Sequence, residues 1–289
     1  MSDSRRLLCF GYGYSARELS RRLAQDGWDV WGTTRKPGKA DEIRTDGVTP
    51  LITGSDDISA AISSATHLLI SAGPDEAGDP TLNAFGAQIS DRASDFEWIG
   101  YLSTTGVYGD HGGGWVDEAT PRNPTTRRGL WRLAAEDAWL ALWREHGAPV
   151  HLFRLAGIYG PGRGPFSKVR AGTARRIIKE GQVFSRTHVS DIASVLEASI
   201  AKPNPGAAYN VCDDDPAPPQ DVIAHAAELL GVPVPPATPI EEAEMTPMAR
   251  SFYAESKRVS NKRIKDELGV TLAYPSYRDG LRSLLESGE

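Results

Sequence analysis

A short glycine-rich segment near the start of the chain constrains the fold more than any other feature. It directly follows the apolar run 6–10 and directly precedes a stretch with helical spacing, and it fits the pattern G-x-G-x-x-A. Its residues are Gly11, Tyr12, Gly13, Tyr14, Ser15 and Ala16. A first glycine permits a tight turn, a second lets a phosphate approach the backbone, and a small third residue allows close helix–strand packing. The segment predicts a strand, a turn and a helix N-terminus open to an anion. The alternative is a plain strand-to-helix turn.

Strand and helix patterns alternate along the first half of the chain. The predicted strands are residues 6–10, 29–33, 48–52, 67–70 and 97–103. Strands that alternate with helices form a parallel sheet with helices on both faces. Together with the glycine segment, this pattern predicts an α/β fold with a Rossmann-type doubly wound parallel sheet, in which a dinucleotide pyrophosphate lies at the glycine turn.

The residues after the second strand indicate which dinucleotide binds. An NAD-selective site usually has an Asp or Glu about 20 residues after the glycine loop. Here Thr34 and Arg35 occupy that place, and the first carboxylate is Asp41. An arginine suits the 2′-phosphate of NADP, so we predict NADP as the cofactor, with NAD as the alternative. A solvated loop arginine is the other interpretation.

Composition limits the partners. The chain has 289 residues and a net charge of −6, and an acidic chain is a poor candidate for binding nucleic acid. No apolar run approaches the ~18 residues that a membrane helix needs. The two cysteines, Cys9 and Cys212, lie in apolar runs, as is typical of buried thiols in a reducing compartment. We therefore expect a cytoplasmic protein with no nucleic-acid or membrane partner, and the histidine spacing indicates no metal site.

Several further segments resemble, in the same order, segments of the extended short-chain dehydrogenase/reductase family of nucleotide-sugar epimerases and dehydratases. They are residues 102–109 (LSTTGVYG), 117–124 (DEATPRNP), 153–162 (FRLAGIYGPG), 188–193 (HVSDIA), 209–211 (YNV) and 257–281. The resemblance implies a Rossmann domain over residues 1–160 with a returning segment at about 187–212. It also implies a smaller C-terminal substrate domain over 161–186 and 213–289. The expected activity is that of an oxidoreductase or epimerase on a small polar substrate such as a sugar nucleotide.

The expected catalytic helix departs from the family pattern Y-x-x-x-K. Arg128 stands at the tyrosine position and Arg132 at the lysine position, with Glu136 four residues further on. Arg128 cannot replace the tyrosine base, because a guanidinium keeps its proton in proteins. The resemblance places Thr104 at the reacting oxygen and Arg132 on the nicotinamide ribose. The alternative function is a catalytically inactive NADP(H)-binding sensor or regulatory protein.

Two routes could restore catalysis. A base could come from Tyr12, Tyr14, Tyr108 or Tyr159. Alternatively, Arg128 or Arg132 could stabilise a developing oxyanion or bind a substrate carboxylate. We also assign Ala72, Gly73 and Ala156 to the cofactor site.

Residues 163–186 carry seven Lys or Arg side chains against one acid, Glu180. In an acidic chain this excess predicts an anionic ligand, for which Arg163 and Arg186 are the candidate substrate residues. The alternative is a solvated helix face.

A predicted helix over residues 129–146 holds three tryptophans, Trp131, Trp139 and Trp143. Its apolar residues point in two directions, so one face can cover the sheet while another meets a partner. We predict a homodimer through this helix. Packing of the tryptophans within one subunit is the alternative.

Overall fold

The computed structural model of the protein describes residues 5–246, 250 and 252–288. The chain divides into two compact units, each built from three segments. The first unit comprises Met1–Thr104, Arg127–Arg154 and Ile192–Tyr209. The second comprises Thr105–Thr126, Leu155–Asp191 and Asn210–Glu289.

The first unit is built on a seven-stranded parallel sheet, which confirms the predicted α/β Rossmann-type fold. Its strands are β1 (Arg6–Phe10), β2 (Asp29–Thr34), β3 (Thr49–Ile52), β4 (His67–Ile70), β5 (Trp98–Thr104), β7 (Val150–Leu155) and β11 (Ala208–Val211). The strand order is β11-β7-β5-β4-β1-β2-β3. The order reverses beside β1, and in such sheets a ligand binds beyond the carboxyl ends of the strands at this switch point.

Helices connect these parallel strands, as parallel pairing requires. They are α1 (Tyr14–Gln25), α2 (Ala40–Thr45), α3 (Ile58–Ser64), α4 (Pro80–Asp91), α5 (Arg127–His146) and α7 (Val189–Ala201). The carboxylate of Asp57 accepts a backbone hydrogen bond at the start of α3, and that of Asp79 accepts two at the start of α4. Both aspartates therefore act as N-caps.

The core of the first unit follows from the apolar runs that the sequence shows. The strands β1, β4, β5 and β7 are buried along almost their whole length, as expected for central parallel strands. The largest fully buried side chains here include Trp98, Tyr101 and Trp139. Trp139 belongs to α5 and packs in the same apolar cluster as β1, β4 and β5, so α5 is anchored to the sheet.

The second unit contains the short strands β6 (Trp115–Val116), β8 (Gly157–Tyr159), β9 (Arg176–Ile178), β10 (Arg186–His188), β12 (Ala237–Pro239) and β13 (Arg258–Val259). They form three parallel pairs, β10–β8, β12–β9 and β13–β6. Its helices are α6 (Phe166–Arg170), α8 (Pro219–Leu229), α9 (Lys262–Asp266) and α10 (Tyr277–Glu286). Apolar side chains of α6, α8 and α10 form its main core.

Residues 105–126 belong to the second unit, whereas the sequence assigned them to the sheet domain. Polar contacts explain the grouping. Asp110 Oδ1 accepts a hydrogen bond from the backbone of Ser256 at 2.7 Å, and Lys257 Nζ donates to the carbonyl of Gly109 at 2.6 Å. The strand pair β6–β13 lies in the same region.

Both cysteines are fully buried free thiols. None of the helices in the described ranges is long and apolar enough to cross a membrane.

Candidate functional site

The turn after β1 requires glycine at its first position. Gly11 has a φ of +83°, and a Cβ atom there would lie 2.8 Å from the backbone nitrogen of Ala72. The backbone nitrogen of Gly11 donates to Thr33 Oγ1 at 2.8 Å, and that of Ala72 donates to the carbonyl of Phe10 at 2.8 Å. The carboxyl ends of β1, β2 and the segment after β4 are therefore fixed against one another.

Gly13 is different, because nothing in the protein itself requires glycine there. Its φ of −105° suits any residue, and the nearest atoms to an added Cβ, Gly11 O and Ser71 Oγ, lie 3.9 Å away. Gly13 is the N-cap of α1, and no side chain caps this helix, whereas Asp57 and Asp79 cap α3 and α4. A missing Cβ and an uncapped helix N-terminus leave a cradle that fits a pyrophosphate.

Exposed cations follow β2, near the place where a dinucleotide ribose is expected. Arg35, Lys36 and Lys39 are all exposed, and the nearest carboxylate along the chain is Asp41. Thr34 Oγ1 accepts a hydrogen bond from the backbone of Lys36 at 3.1 Å, which fixes the turn. Three exposed cations therefore lie within five residues of the end of β2, as suits a site for a 2′-phosphate.

Arg132 reaches from α5 to the carboxyl end of β5. Its Nη1 donates to the carbonyl of Leu102 at 2.5 Å and to Tyr101 Oη at 3.3 Å. Its Nη2 is the nearest atom to a Cβ built on Gly73, at 3.3 Å, so the guanidinium also lies beside the segment that follows β4. Arg132 is thus brought to the same sheet edge as Gly73 and the glycine turn.

A buried ion pair that sequence reasoning missed lies between α5 and β7. Glu136 is fully buried, and Arg154 Nη2 donates to Glu136 Oε2 at 2.9 Å while its Nε donates to Oε1 at 3.1 Å. Ser103 Oγ donates to Glu136 Oε1 at 2.6 Å. Since Ser103 precedes Thr104, this network fixes the end of β5. In the sequence, the position of Glu136 one helical turn after Arg132 was the signal that could have pointed to this pair.

The other proposed catalytic groups are placed as follows. Arg128 is exposed and lies one turn before Arg132 on α5, and Thr104 is the last residue of β5. Tyr12 Oη donates to Asp46 Oδ2 at 3.1 Å, and its ring packs on Gly32. Burial raises the pKa of Tyr12. Its phenol is therefore poorly suited to act as a base near neutral pH.

Two more tyrosines belong to the second unit, and both are buried and hydrogen-bonded. Tyr108 Oη donates to Asn210 Oδ1 at 2.7 Å, and Tyr159 Oη donates to the carbonyl of Ser276 at 3.3 Å. Burial raises the pKa of Tyr159. Tyr14, in the first turn of α1, is half-buried.

The cations of residues 163–186 mostly hold the second unit together. Arg186 Nη1 donates to the carbonyls of Phe184 and Ala217, at 3.0 and 2.9 Å. Three others also donate to carbonyls, namely Arg175 to Glu244, Arg176 to Pro235 and Lys179 to Tyr253. Four of the seven cations in this stretch therefore have carbonyl partners within the second unit.

The remaining candidate site residues of the second unit, Arg163 and Ala156, lie outside its helices and strands. Arg163 is exposed and forms an antiparallel bridge with Gly160. The backbone nitrogen of Ala156 donates to the carbonyl of Val211 at 3.1 Å. Within the described residues, no cluster of three or more His, Cys, Asp or Glu side chains offers a metal site.

The α5 helix carries apolar side chains of very different exposure. Trp139 is fully buried, Trp131 is half-buried, and Trp143 packs on Gly206 but remains partly exposed. Leu130 is 53% exposed. The helix therefore covers the sheet and also presents apolar surface.

The fold and the glycine cradle are typical of Rossmann-type dinucleotide-binding proteins. The family model described as the NAD dependent epimerase/dehydratase family matches residues 89–212. This match confirms the resemblance to the extended short-chain dehydrogenase/reductase family of epimerases and dehydratases.

Three comparisons illustrate its relatives. The protein YeeZ of Escherichia coli K12 is 29% identical over 92% of this chain and 94% of its own. A functionally unknown conserved protein from Silicibacter pomeroyi has a solved structure with 58% identity and a TM-score of 0.93, over 99% of each chain. UDP-glucuronic acid 4-epimerase from Bacillus cereus, in complex with UDP-glucuronic acid and NAD, shares the fold at 16% identity, with a TM-score of 0.78 over 98% of this chain and 99% of its own.

Proposed function

We propose that the protein is an NADP(H)-dependent oxidoreductase or epimerase that acts on a small anionic substrate such as a sugar nucleotide. The observation that carries the proposal is the cradle at Gly13, where an open space beside the backbone meets an uncapped helix N-terminus. The match to the NAD dependent epimerase/dehydratase family supports a nicotinamide cofactor. The nucleotide-sugar complex of the Bacillus cereus enzyme supports the substrate class by analogy only.

The chain's own residues account for each part of the cofactor. The backbone from Gly11 to Ala16 would hold the pyrophosphate, and Thr34 and Arg35 would hold the 2′-phosphate. Ala72 and Gly73 would border the adenosine half and Arg132 would bind the nicotinamide ribose. Ala156 is the further residue that we assign to the cofactor. When bound, the nicotinamide supplies the acceptor or donor of a hydride.

In the chemical step, Thr104 donates a hydrogen bond to the reacting oxygen of the substrate. The guanidinium of Arg132 stabilises negative charge that develops on that oxygen. Ser103, Glu136 and Arg154 are positioning residues, because their buried network fixes the end of β5 and the face of α5. Arg128 lies on the solvent side of the first turn of α5, where it attracts an anionic substrate.

The second candidate function is a sensor that binds NADP(H) without turnover. It is favoured by the arginine at the tyrosine position of the helix and by the hydrogen bonds that the hydroxyls of Tyr12, Tyr108 and Tyr159 donate. Tyr14 is the remaining phenol that the sequence offered as a base.

One experiment separates an enzyme with a captive cofactor from the other candidates. The freshly purified protein is denatured, and any released nucleotide and its redox state are identified by mass spectrometry. Near-stoichiometric and partly reduced NADP is expected for a captive cofactor recycled within each turnover, and nucleotide sugars are then screened as substrates. An empty protein that binds NADPH reversibly contradicts the captive cofactor and favours an exchanging dehydrogenase or a sensor.

We further propose a cytoplasmic homodimer that pairs through α5. The exposed apolar side chain of Leu130 supports the pairing. Solution scattering at micromolar concentration should give the mass of a dimer, and Leu130→Asp should give a monomer. A monomer mass for the unchanged protein contradicts the pairing.

A further inference from the structure

The side chain of Tyr12 has no role in the proposed cofactor site, although Tyr12 lies in the middle of the glycine turn. The residues on either side of it, Gly11 and Gly13, have no side chain that could hold the turn. Glycine loses more conformational freedom on folding than any other residue, so other contacts must order a turn of this kind. Tyr12 is half-buried, and its side chain reaches away from the turn to β2 and to the end of α2.

The ring of Tyr12 lies directly on Gly32 of β2. A Cβ atom built on Gly32 would lie 2.5 Å from Cδ2, 2.9 Å from Cγ and 3.2 Å from Cβ of Tyr12, which are the three nearest atoms outside its chain neighbours. Gly32 does not have a positive φ, so this position needs glycine for space and not for backbone conformation. The backbone nitrogen of Tyr12 also donates to the carbonyl of Thr33 at 2.8 Å. Ring and backbone therefore fix Tyr12 against the same strand.

One carboxylate, that of Asp46, holds the residues on both sides of the cradle. Tyr12 Oη donates to Asp46 Oδ2 at 3.1 Å, and Arg17 Nη2 donates to Asp46 Oδ1 at 3.0 Å. The side chain of Asp46 is 5% exposed, so water competes little for these bonds. Because Tyr12 and Arg17 flank residues 13–16, both ends of this segment are fixed to the end of α2.

We propose that Tyr12 is a positioning residue, which holds the glycine turn in the conformation that receives the pyrophosphate before the cofactor binds. The inference rests on the proposed function, because it concerns the same cofactor site. A preordered turn improves affinity, since binding no longer has to order it. When binding must order the backbone of one residue, the affinity falls by a factor of about 5–30.

The first experiment compares two ligands of the full chain by calorimetric titration. NADPH would contact the turn through its pyrophosphate, whereas adenosine 2′-monophosphate has no pyrophosphate. Tyr12→Ala should bind NADPH about tenfold more weakly than the unchanged protein does, and adenosine 2′-monophosphate within about twofold of it. Tyr12→Phe keeps the ring and loses only the bond to Asp46, so its loss should be smaller. The control Tyr209→Phe, which alters a fully buried tyrosine of the same unit, should bind both ligands as the unchanged protein does.

A double variant tests the contact between the ring and β2. The methyl group of Gly32→Ala collides with the ring of Tyr12, so this variant alone should weaken NADPH binding. In the Tyr12→Ala background the ring is gone, and Gly32→Ala should cause no further loss. An equal loss in both backgrounds overturns the role of the ring. The melting temperature of each variant verifies folding.

Hydrogen–deuterium exchange of the protein without nucleotide measures the order of the turn directly. Peptides that cover residues 10–17 should exchange faster in Tyr12→Ala than in the unchanged protein, and peptides that cover α4 should not change. Equal exchange at residues 10–17 overturns the proposal, and so does an equal loss of affinity for NADPH and adenosine 2′-monophosphate. An unchanged protein that does not bind NADPH contradicts the proposed function instead, while the exchange still decides whether Tyr12 orders the turn.

Discussion

Replacing Glu136 by glutamine should destabilise the protein strongly, although the two side chains have nearly the same shape. Glu136 is fully buried, and its two carboxylate oxygens accept hydrogen bonds from Arg154 and Ser103 at 2.6–3.1 Å. Arg154 is 4% exposed, so Glu136→Gln removes the carboxylate that pairs with a buried guanidinium. Breaking such a pair on one side costs about 3–5 kcal/mol.

The measurement is the free energy of unfolding in urea, with the melting temperature as a second readout. For a chain of this size, a loss of about 3–5 kcal/mol lowers the melting temperature on the order of 10 °C. The control is the double variant Glu136→Met with Arg154→Met. It leaves no buried charge, so it should be more stable than Glu136→Gln and lie within about 2 kcal/mol of the unchanged protein.

Two results would refute this reasoning. One is a loss below about 1 kcal/mol in Glu136→Gln, which would mean that Arg154 finds water or another partner. The other is a double variant at least as unstable as the single one, which would mean that packing rather than charge pairing is responsible.

Three further predictions concern the cofactor and pH. The unchanged protein should bind NADPH about tenfold or more tightly than NADH in a fluorescence titration. Arg35→Ala should abolish this preference, whereas Arg44→Ala should retain it. Equal affinities in the unchanged protein contradict the assignment of Arg35 to the 2′-phosphate. Arg132→Met should lower turnover far more than cofactor affinity, and unchanged turnover in steady-state kinetics excludes a role in charge stabilisation. Burial lowers the pKa of His67 to about 4, below the unfolded value near 6.5. The unfolded state therefore binds the proton at a higher pH than the folded state, and the free energy of unfolding falls by about 3 kcal/mol between pH 6.5 and 4. In His67→Phe, the free energy of unfolding measured in urea should depend less on pH across that window. An equal dependence on pH in both proteins contradicts the prediction.

The sequence predicted the first unit well, because its strands are continuous apolar runs bounded by turns. The runs at 6–10 and 67–70 are β1 and β4 with the same bounds, and the helix predicted over 129–146 begins two residues earlier. Local pattern is sufficient here, since a strand buried on both faces must be apolar throughout.

The parts that sequence did not predict depend on contacts between distant segments. Glu136 and Arg154 are 18 residues apart, and their pairing requires α5 to lie against β7. The grouping of residues 105–126 with the second unit depends on Asp110 and Gly109 meeting residues near 256. Similarly, a count of seven cations in 163–186 does not reveal that four of them donate to carbonyls.

The most direct test of the central claim is the affinity of Gly13→Ala for NADPH. The protein tolerates a methyl group there, since the nearest atoms lie 3.9 Å from an added Cβ and the φ of −105° is ordinary. The control is Gly86→Ala in α4, where the clearance is also 3.9 Å. Calorimetric titration should show NADPH binding weakened at least tenfold in Gly13→Ala and unchanged in Gly86→Ala, with neither variant losing melting temperature. Equal NADPH affinity in Gly13→Ala and the unchanged protein would contradict the proposed cofactor site.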